Sequence, residues 1–263
     1  MADTFTTTAT ATATATATTA TNVAAAAAST TPEYIIGDES VYEPSEDTFL
    51  LLDALSLDLP LSFSSFTPSS SSSSSSSPPS SLFALEIGCG TGLPIVHLSR
   101  VLGGLLREQG RGTAVVSLAT DINPAAACTA MKTASLNGIT LSLVQTDLIR
   151  GLEHALHHSI DFLLFNPPYV VTPTEEISSS MAARAWAGGV DGREVTDRFL
   201  PLVDLLLSPR GCCYLLLLDQ NRPQEVMHHM EQTYSLLSTI ILSRKAGREK
   251  LHIVKFWRHQ QGI

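Results

Sequence analysis

The sequence predicts an α/β domain on a doubly wound, mainly parallel sheet, and three observations carry that prediction. From Leu82 onward, short runs that are apolar throughout alternate with helix-like or longer connecting stretches, the pattern of parallel strands buried on both faces. A glycine-rich loop follows the first of these runs, where folds of this class place a ligand. At the end of the chain two apolar runs are joined by a short glycine-containing turn, the mark of a terminal hairpin.

The elements follow in chain order. Residues 1–32 form a leader dominated by "TTTATATATATATTAT", which cannot bury enough apolar area to offset ordering entropy and is expected to be disordered. A domain is expected over 33–263. In "VYEPSEDTFLLLDAL", Pro44 and Ser45 precede Glu46 and Asp47. A capping hydroxyl followed by acids at the positive end of a helix dipole predicts a helix from about Glu46 to Leu55. Residues 62–81, "SFSSFTPSSSSSSSSSPPSS", read as a disordered serine-rich insert within the domain. "LFALEIG", "AVVSLATD", "TLSLVQTD", "IDFLLFN" and "GCCYLLLLD" read as the parallel strands. After a helix near Arg222 to Gln232, "SLLSTIILS" and "KLHIVKFWRH" flank "RKAGRE" as a C-terminal antiparallel hairpin, which makes seven strands.

Composition narrows the function. The 263 residues are 44% hydrophobic and 16% charged, ample for one core. Sixteen Lys plus Arg against 25 Asp plus Glu leave a formal charge of -9, which argues against a general grip on phosphate backbones and against direct DNA binding. The cysteines, Cys89, Cys128, Cys212 and Cys213, form no CxxC pair, and adjacent Cys212 and Cys213 are expected on opposite faces of a strand. A reducing compartment fits. No apolar run approaches the ~20 residues of a membrane span, and the leader has neither a charged signal-peptide start nor Arg-rich transit character. The expectation is a soluble cytoplasmic protein, with a nuclear share also open.

The chemistry is written at the ends of the strands. The first runs into Glu86-Ile87-Gly88-Cys89-Gly90-Thr91-Gly92, where glycines at alternate positions allow a tight turn and close approach of a ligand at Gly88 and Gly90. The spacing is GxGxG after an acid, not the GxGxxG of dinucleotide folds, and suits a cofactor without phosphates. Asp121 ends the second strand, where a carboxylate can accept both ribose hydroxyl hydrogens. Asp147-Leu148 ends the third, placed to recognise an adenine amino group. Beside these readings stand plainer ones: a tight turn without a ligand, and Asp121 as a cap before Asn123-Pro124. The fourth strand stops at Asn166-Pro167-Pro168-Tyr169, because prolines supply no ladder donor and hold the chain extended and stiff. Asn166 can accept one hydrogen of a substrate NH2 through its side-chain oxygen, and the Pro167 carbonyl the other. Tyr169 offers a flat face to a planar group. Catalysis there would be positioning plus electrostatics.

The acid, GxGxG, "DINP", "TDL" and above all "NPPYVVTP" resemble the class I S-adenosylmethionine-dependent methyltransferases. "VYEPSEDTFLLLDAL" and "AWAGGVDGREVTDRF" narrow the resemblance to the HemK-like eukaryotic and archaeal enzymes that methylate the glutamine of the GGQ motif in class I translation release factors. It runs from about Val41 to the C-terminus, interrupted by the serine tract. It implies the class I methyltransferase (Rossmann-like) fold, S-adenosyl-L-methionine as cofactor, and cofactor contacts from Thr48, Glu86, Gly88, Gly90, Asp121, Asp147, Leu148 and Asn166. It implies catalysis by Asn166, Pro167, Pro168 and Tyr169, with Asn166, Pro167 and Tyr169 against the substrate. It also implies a small zinc-binding activator subunit in a heterodimer. The residues alone leave adenine-N6 nucleic-acid methylation, lysine methylation and a non-catalytic cofactor-binding scaffold as competitors. NPPY is shared with adenine methyltransferases, whereas a scaffold has no need of it.

Weaker signals complete the reading. His154, His157 and His158 have a metal-ligand spacing but lack a supporting ligand set, so a solvated helix face is expected and no metal site. Trp186, Gly188, Gly189, Asp191 and Arg193 form a loop that either covers the substrate or merely turns. "TLSLVQTD" is expected at the sheet edge, with Leu141, Leu143 and Gln145 meeting water and a partner strand able to pair there.

Overall fold

The computed structural model describes residues 31–63, 81–110 and 114–259. Most of the leader and of the serine-rich insert lie outside the described residues. Seven strands, β1 (Leu82–Ile87), β2 (Val115–Asp121), β3 (Leu141–Gln145), β4 (Ile160–Phe165), β5 (Leu207–Leu218), β6 (Leu236–Ala246) and β7 (Glu249–Arg258), form one sheet in the order β3-β2-β1-β4-β5-β7-β6. The pairs from β3 through β5 are parallel; β7 is antiparallel to both neighbours. The hairpin thus inserts its second strand between β5 and β6, with Gly247 at φ 60 in the two-residue turn between Ala246 and Glu249.

Helices cover both faces. On one lie α1 (Glu46–Ser62), α2 (Leu93–Glu108) and α3 (Pro124–Leu136), packed against alternate strand residues such as Ala84, Phe162, Cys212 and Tyr214. The other face carries α4 (Glu194–Leu206) and α5 (Pro223–Tyr234) against Leu85, Leu163, Phe165, Cys213 and Leu215. Cys212 and Cys213 therefore do point to opposite faces, as the strand period of two requires. α5 falls within two residues of its expected span.

Three expectations need correction. α1 continues seven residues past Leu55 to Ser62, through Pro60, because Leu59 and Phe63 are buried and hold the extra turns against the core. It takes up the first residue of the segment expected to be a disordered insert. Second, His154, His157 and His158 are exposed, but they lie in a run of turns between β3 and β4 where a crossover helix was expected. Ile149 packs into the core from this run, and Leu152 and Leu156 pack against it. Third, β3 is an edge strand, yet Leu141 is buried and Leu143 half-buried. Both belong with the cluster that includes Ala130 and Ala134 of α3, so the helix shields them. The apolar side chain that β3 leaves exposed is Val144, on the opposite face.

Candidate active site

The carboxyl ends of β1, β2, β3 and β4 converge on one side of the sheet, next to the first turn of α1. Every residue singled out above for cofactor or substrate, from Thr48 through the Gly88–Gly90 loop, Asp121 and Asp147-Leu148 to Asn166–Tyr169, lines a single cavity of about 320 Å³. Of the loop after Tyr169, Trp186 faces that cavity, joined by Met181 and Arg184.

The loop after β1 is built around two acids. Glu86, 1% exposed, accepts a hydrogen bond from Ile95 N at 3.0 Å, satisfying a free donor in the first turn of α2. Burial pushes its carboxyl well above the usual range, opposed by the Ile95 hydrogen bond, and the nearby Asp121 charge raises it further. Asp121 Oδ2 accepts from Gly90 N and Oδ1 from Asn123 N, each at 2.9 Å. It is a loop brace and a cavity-lining acid at once, so the two readings of this residue do not exclude one another. Its carboxyl is likewise raised by burial. Two glycines show what the loop needs. A Cβ at Gly92, where φ is +76, would lie 2.8 Å from the Ala130 Cβ, so α3 can pack close only against glycine. A Cβ at Gly90 would meet nothing within 4 Å, which leaves open space on the cavity side.

At the end of β3 the structure adds a partner that the sequence reading did not include. Asp147 Oδ2 accepts from Arg198 Nη2 of α4 at 2.6 Å, and both side chains are more than a third exposed. Leu148 holds φ 53, a left-handed conformation uncommon outside glycine, and packs against the core. No sequence signal linked Arg198 to Asp147, because the two meet only through α4.

The end of β4 is the most tightly determined part. Asn166 Nδ2 donates to Asp47 Oδ2 at 3.0 Å, and Tyr169 OH donates to the same oxygen at 3.1 Å. Tyr42 OH and Thr48 N donate to Asp47 Oδ1 at 3.3 and 2.7 Å. Burial, then the Asp47 charge, drives the Tyr169 phenol far up and pushes that of Tyr42 up to about 12, so both remain donors. Asn166 Oδ1 is buried and has no hydrogen-bond partner. Nearly all buried polar atoms are satisfied, so an orphan acceptor at a cavity wall marks where a ligand donor belongs.

From below, Asn221, fully buried, ties this motif to the following loop. Its Nδ2 donates to Tyr169 O at 3.0 Å and Asp191 O at 2.9 Å, while its Oδ1 accepts from Leu218 N at 2.7 Å. A Cβ on Gly192 would fall 2.0 Å from Tyr169 O, and one on Gly188 2.7 Å from Pro168 O. The glycines of "AGGVDG" thus let the loop press onto the backbone of the proline motif, and Trp186, just before them, lines the cavity. Arg193 and Asp191 lie outside the cavity wall, in ion pairs with Asp197 and Arg222 respectively.

Asp47, Tyr42 and Asn221 were missed as site residues. A signal for Asp47 existed: positions 47, 50, 51, 54 and 55 keep helical spacing, so an acid sits on the stripe that Leu50, Leu51, Ala54 and Leu55 bury. Asn221 carried none.

The arrangement combines a glycine loop, acids at strand ends and a buried, unpartnered amide oxygen on a residue of the cavity wall, which suits a nucleoside-bearing cofactor beside a planar NH2 group. Comparison with known proteins agrees. No family model matches the chain. Methyltransferase HEMK2 of Homo sapiens is 42% identical over 216 residues, covering 82% of this chain and 89% of the relative. The eRF1 methyltransferase catalytic subunit mtq2 of Schizosaccharomyces pombe is 34% identical over 230 residues, 84% of this chain and 90% of that one. Among solved structures, the Mtq2-Trm112 complex of E. cuniculi, responsible for methylation of the eRF1 translation termination factor, matches with a TM-score of 0.51 and 28% identity over 84% of this chain and 99% of that one. With that coverage of relatives above 30% identity, and with the seven-stranded sheet and strand-end site just described, the chain belongs to the HemK-like family of class I S-adenosylmethionine-dependent methyltransferases.

Proposed function

We propose that this protein methylates the side-chain amide nitrogen of the glutamine in the GGQ motif of a class I translation release factor, as the catalytic subunit of a heterodimer. The observation that carries the reading is the buried, unpartnered Asn166 Oδ1 at the wall of a cavity that also holds the glycine loop. S-adenosylmethionine, when bound, supplies an electrophilic methyl group on a sulfonium and would leave as the neutral thioether once the methyl–sulfur bond breaks. The chain's residues that would hold it are Asp121 and the Gly88–Gly90 backbone, with Thr48, Asp147 and Leu148 around it; the space beside Gly90 fits such a group.

What the chain itself does is orient and stabilise. Asn166 Oδ1 accepts one N–H of the glutamine amide and the Pro167 carbonyl the other, which turns the nitrogen lone pair toward the methyl carbon. As the N–C bond forms, positive charge grows on that nitrogen. Both acceptors then hold its hydrogens more strongly, the differential interaction that lowers a barrier. One proton leaves to solvent as the product amide forms. Tyr169, its hydroxyl held by Asp47, offers the flat face of its ring to the planar amide.

We read the partner as a small zinc-binding activator. The relative's complex with Trm112 supports a second subunit. The open edge of β3 supports a site for it, since Val144 there and Met131 and Leu136 on α3 are exposed apolar side chains. Because Leu143 packs inward, Val144→Lys is the cleaner probe, and it should abolish co-purification of the two subunits while leaving cofactor affinity intact. We read the location as cytoplasmic, because release factors act on ribosomes.

The deciding experiment is methyl transfer from labelled cofactor, by the co-expressed pair of subunits, to purified release factor, to the same factor with its GGQ glutamine changed to alanine, and to duplex DNA. Label in the first substrate only is expected. Label in DNA alone would overturn the assignment in favour of adenine methylation.

A further inference from the structure

The hydrogen-bond partners of Asp47 decide which way round the catalytic amide sits. Asp47 is 3% exposed. Its Oδ2 receives Asn166 Nδ2 and Tyr169 OH; its Oδ1 receives Thr48 N, Thr48 Oγ1 at 3.3 Å and Tyr42 OH. Every partner is a donor, and an ionised carboxylate can only accept. An asparagine amide can ordinarily be turned over with almost no change in shape, exchanging an acceptor for two donors. Here one orientation is allowed. Turning Asn166 over would set its oxygen against the carboxylate at the 3.0 Å now bridged by a hydrogen bond.

We infer that Asp47 is a positioning residue that fixes the Asn166 amide with its NH2 inward and its oxygen toward the methyl acceptor, and so makes the site selective for a group that offers N–H. The inference rests on the reading that Asn166 Oδ1 receives an N–H of the acceptor. Its consequence is discrimination between glutamine and glutamate, which share a shape. A glutamate carboxylate would bring an oxygen against an oxygen that Asp47 does not permit to rotate away. Sites built to hydrogen-bond a donor reject isosteres lacking it far more strongly than apolar pockets reject a missing methylene.

The substitution Asp47→Asn separates this role from a merely structural one. The Thr48 backbone N–H cannot turn, so the oxygen of the new amide stays on it and the new NH2 faces position 166. Asn166 must then rotate to accept from it, presenting its own NH2 to the substrate. The protein should fold and bind cofactor within a few-fold of the parent, while kcat for release-factor methylation falls on the order of 100-fold, the usual loss for one misplaced transition-state hydrogen bond. Asn166→Asp alone sets two carboxylates face to face and should be inactive. The paired exchange, Asp47→Asn with Asn166→Asp, restores a donor at 47, a carboxylate at 166 and the net charge. Its oxygen again faces the acceptor, so it should be at least ~10-fold more active than either single variant. If Asp47→Asn fails to fold, the pair still decides the matter, because it keeps a donor facing an acceptor between positions 47 and 166.

A substrate-independent readout comes from the side-chain amide N–H resonances of Asn166, assigned by comparison with Asn166→Ala. In the parent both should be protected from water exchange, and in Asp47→Asn they should shift and exchange faster. Near-parent kcat in Asp47→Asn with unshifted resonances, or a pair no more active than its members, overturns the inference. If instead the parent fails to label the release factor while the resonances behave as stated, the orientation holds and the substrate assignment falls.

Discussion

The ends of β4 and β3 carry polar residues at equivalent places in the fold, yet only one of them is rigidly determined. At β4, Asn166 is held by a buried carboxylate that has collected five donors, and the backbone beneath it is tied by Asn221 and by glycines that touch Pro168 and Tyr169. At β3, Asp147 has one charged partner, Arg198, and both are substantially exposed. The shorter contact is at β3, 2.6 Å against 3.0 Å, so distance does not rank the two ends. Burial does. An exposed pair exchanges with water at little cost, whereas a donor or acceptor in the interior is expensive to leave unmade. The position we propose for the reacting nitrogen is built the second way.

Four substitutions test that contrast, from the largest expected effect downward. Asn166→Ala should lower methyl transfer ~100-fold or more while cofactor affinity, followed by calorimetric titration, changes little; near-normal turnover would remove Asn166 as the amide holder. Asp121→Ala should weaken cofactor binding by about 10-fold to 100-fold, since hydrogen bonds to a charged group are worth roughly 1.5–3 kcal/mol. Because Gly90 N and Asn123 N lose their acceptor, a lower melting temperature should accompany it. Unchanged affinity in a folded protein would leave Asp121 as a brace only.

Asn221→Ala strands the Leu218 N–H and three carbonyls, of Tyr169, Asp191 and Gly192, in the interior. Denaturant unfolding should show a loss of about 1–3 kcal/mol. Activity should fall with it, since Tyr169 loses its tether; a stable, fully active variant would mean the β4 end does not depend on its underside. Arg198→Ala should change stability by less than about 1 kcal/mol, with only a small change in cofactor affinity. A large loss there would show that the β3 end is as determined as the β4 end, and the contrast would fail.

Much of this was legible in the sequence because it depends on local period and local chemistry. Apolar runs of strand length separated by helical stretches are enough to set an α/β sheet, and the opposite facing of Cys212 and Cys213 follows from the strand period alone. The residues later found around the cavity stood at the carboxyl ends of those runs, where such folds bind ligands. Local signals failed where a distant partner outweighed them. The start signal at Ser45 to Asp47 says nothing of where the helix ends; the expected end is about Leu55, but buried Leu59 and Phe63 carry α1 to Ser62. The edge position of β3 argues for exposed Leu141 and Leu143, but α3 lies across that face.

By itself, then, the sequence determined the sheet and which polar residues stand at its strand ends, since both follow from the spacing of side chains along one strand or helix. Only the tertiary structure decided what those residues do to one another. Asp47 reads locally as an acid favoured by a helix dipole, and becomes the anchor of Asn166 and Tyr169 because α1 and the end of β4 meet in the fold. Asn221 becomes the tie under Tyr169 for the same reason. Contacts across such separations are set by packing, and no local preference of the chain encodes which donor will face which acceptor.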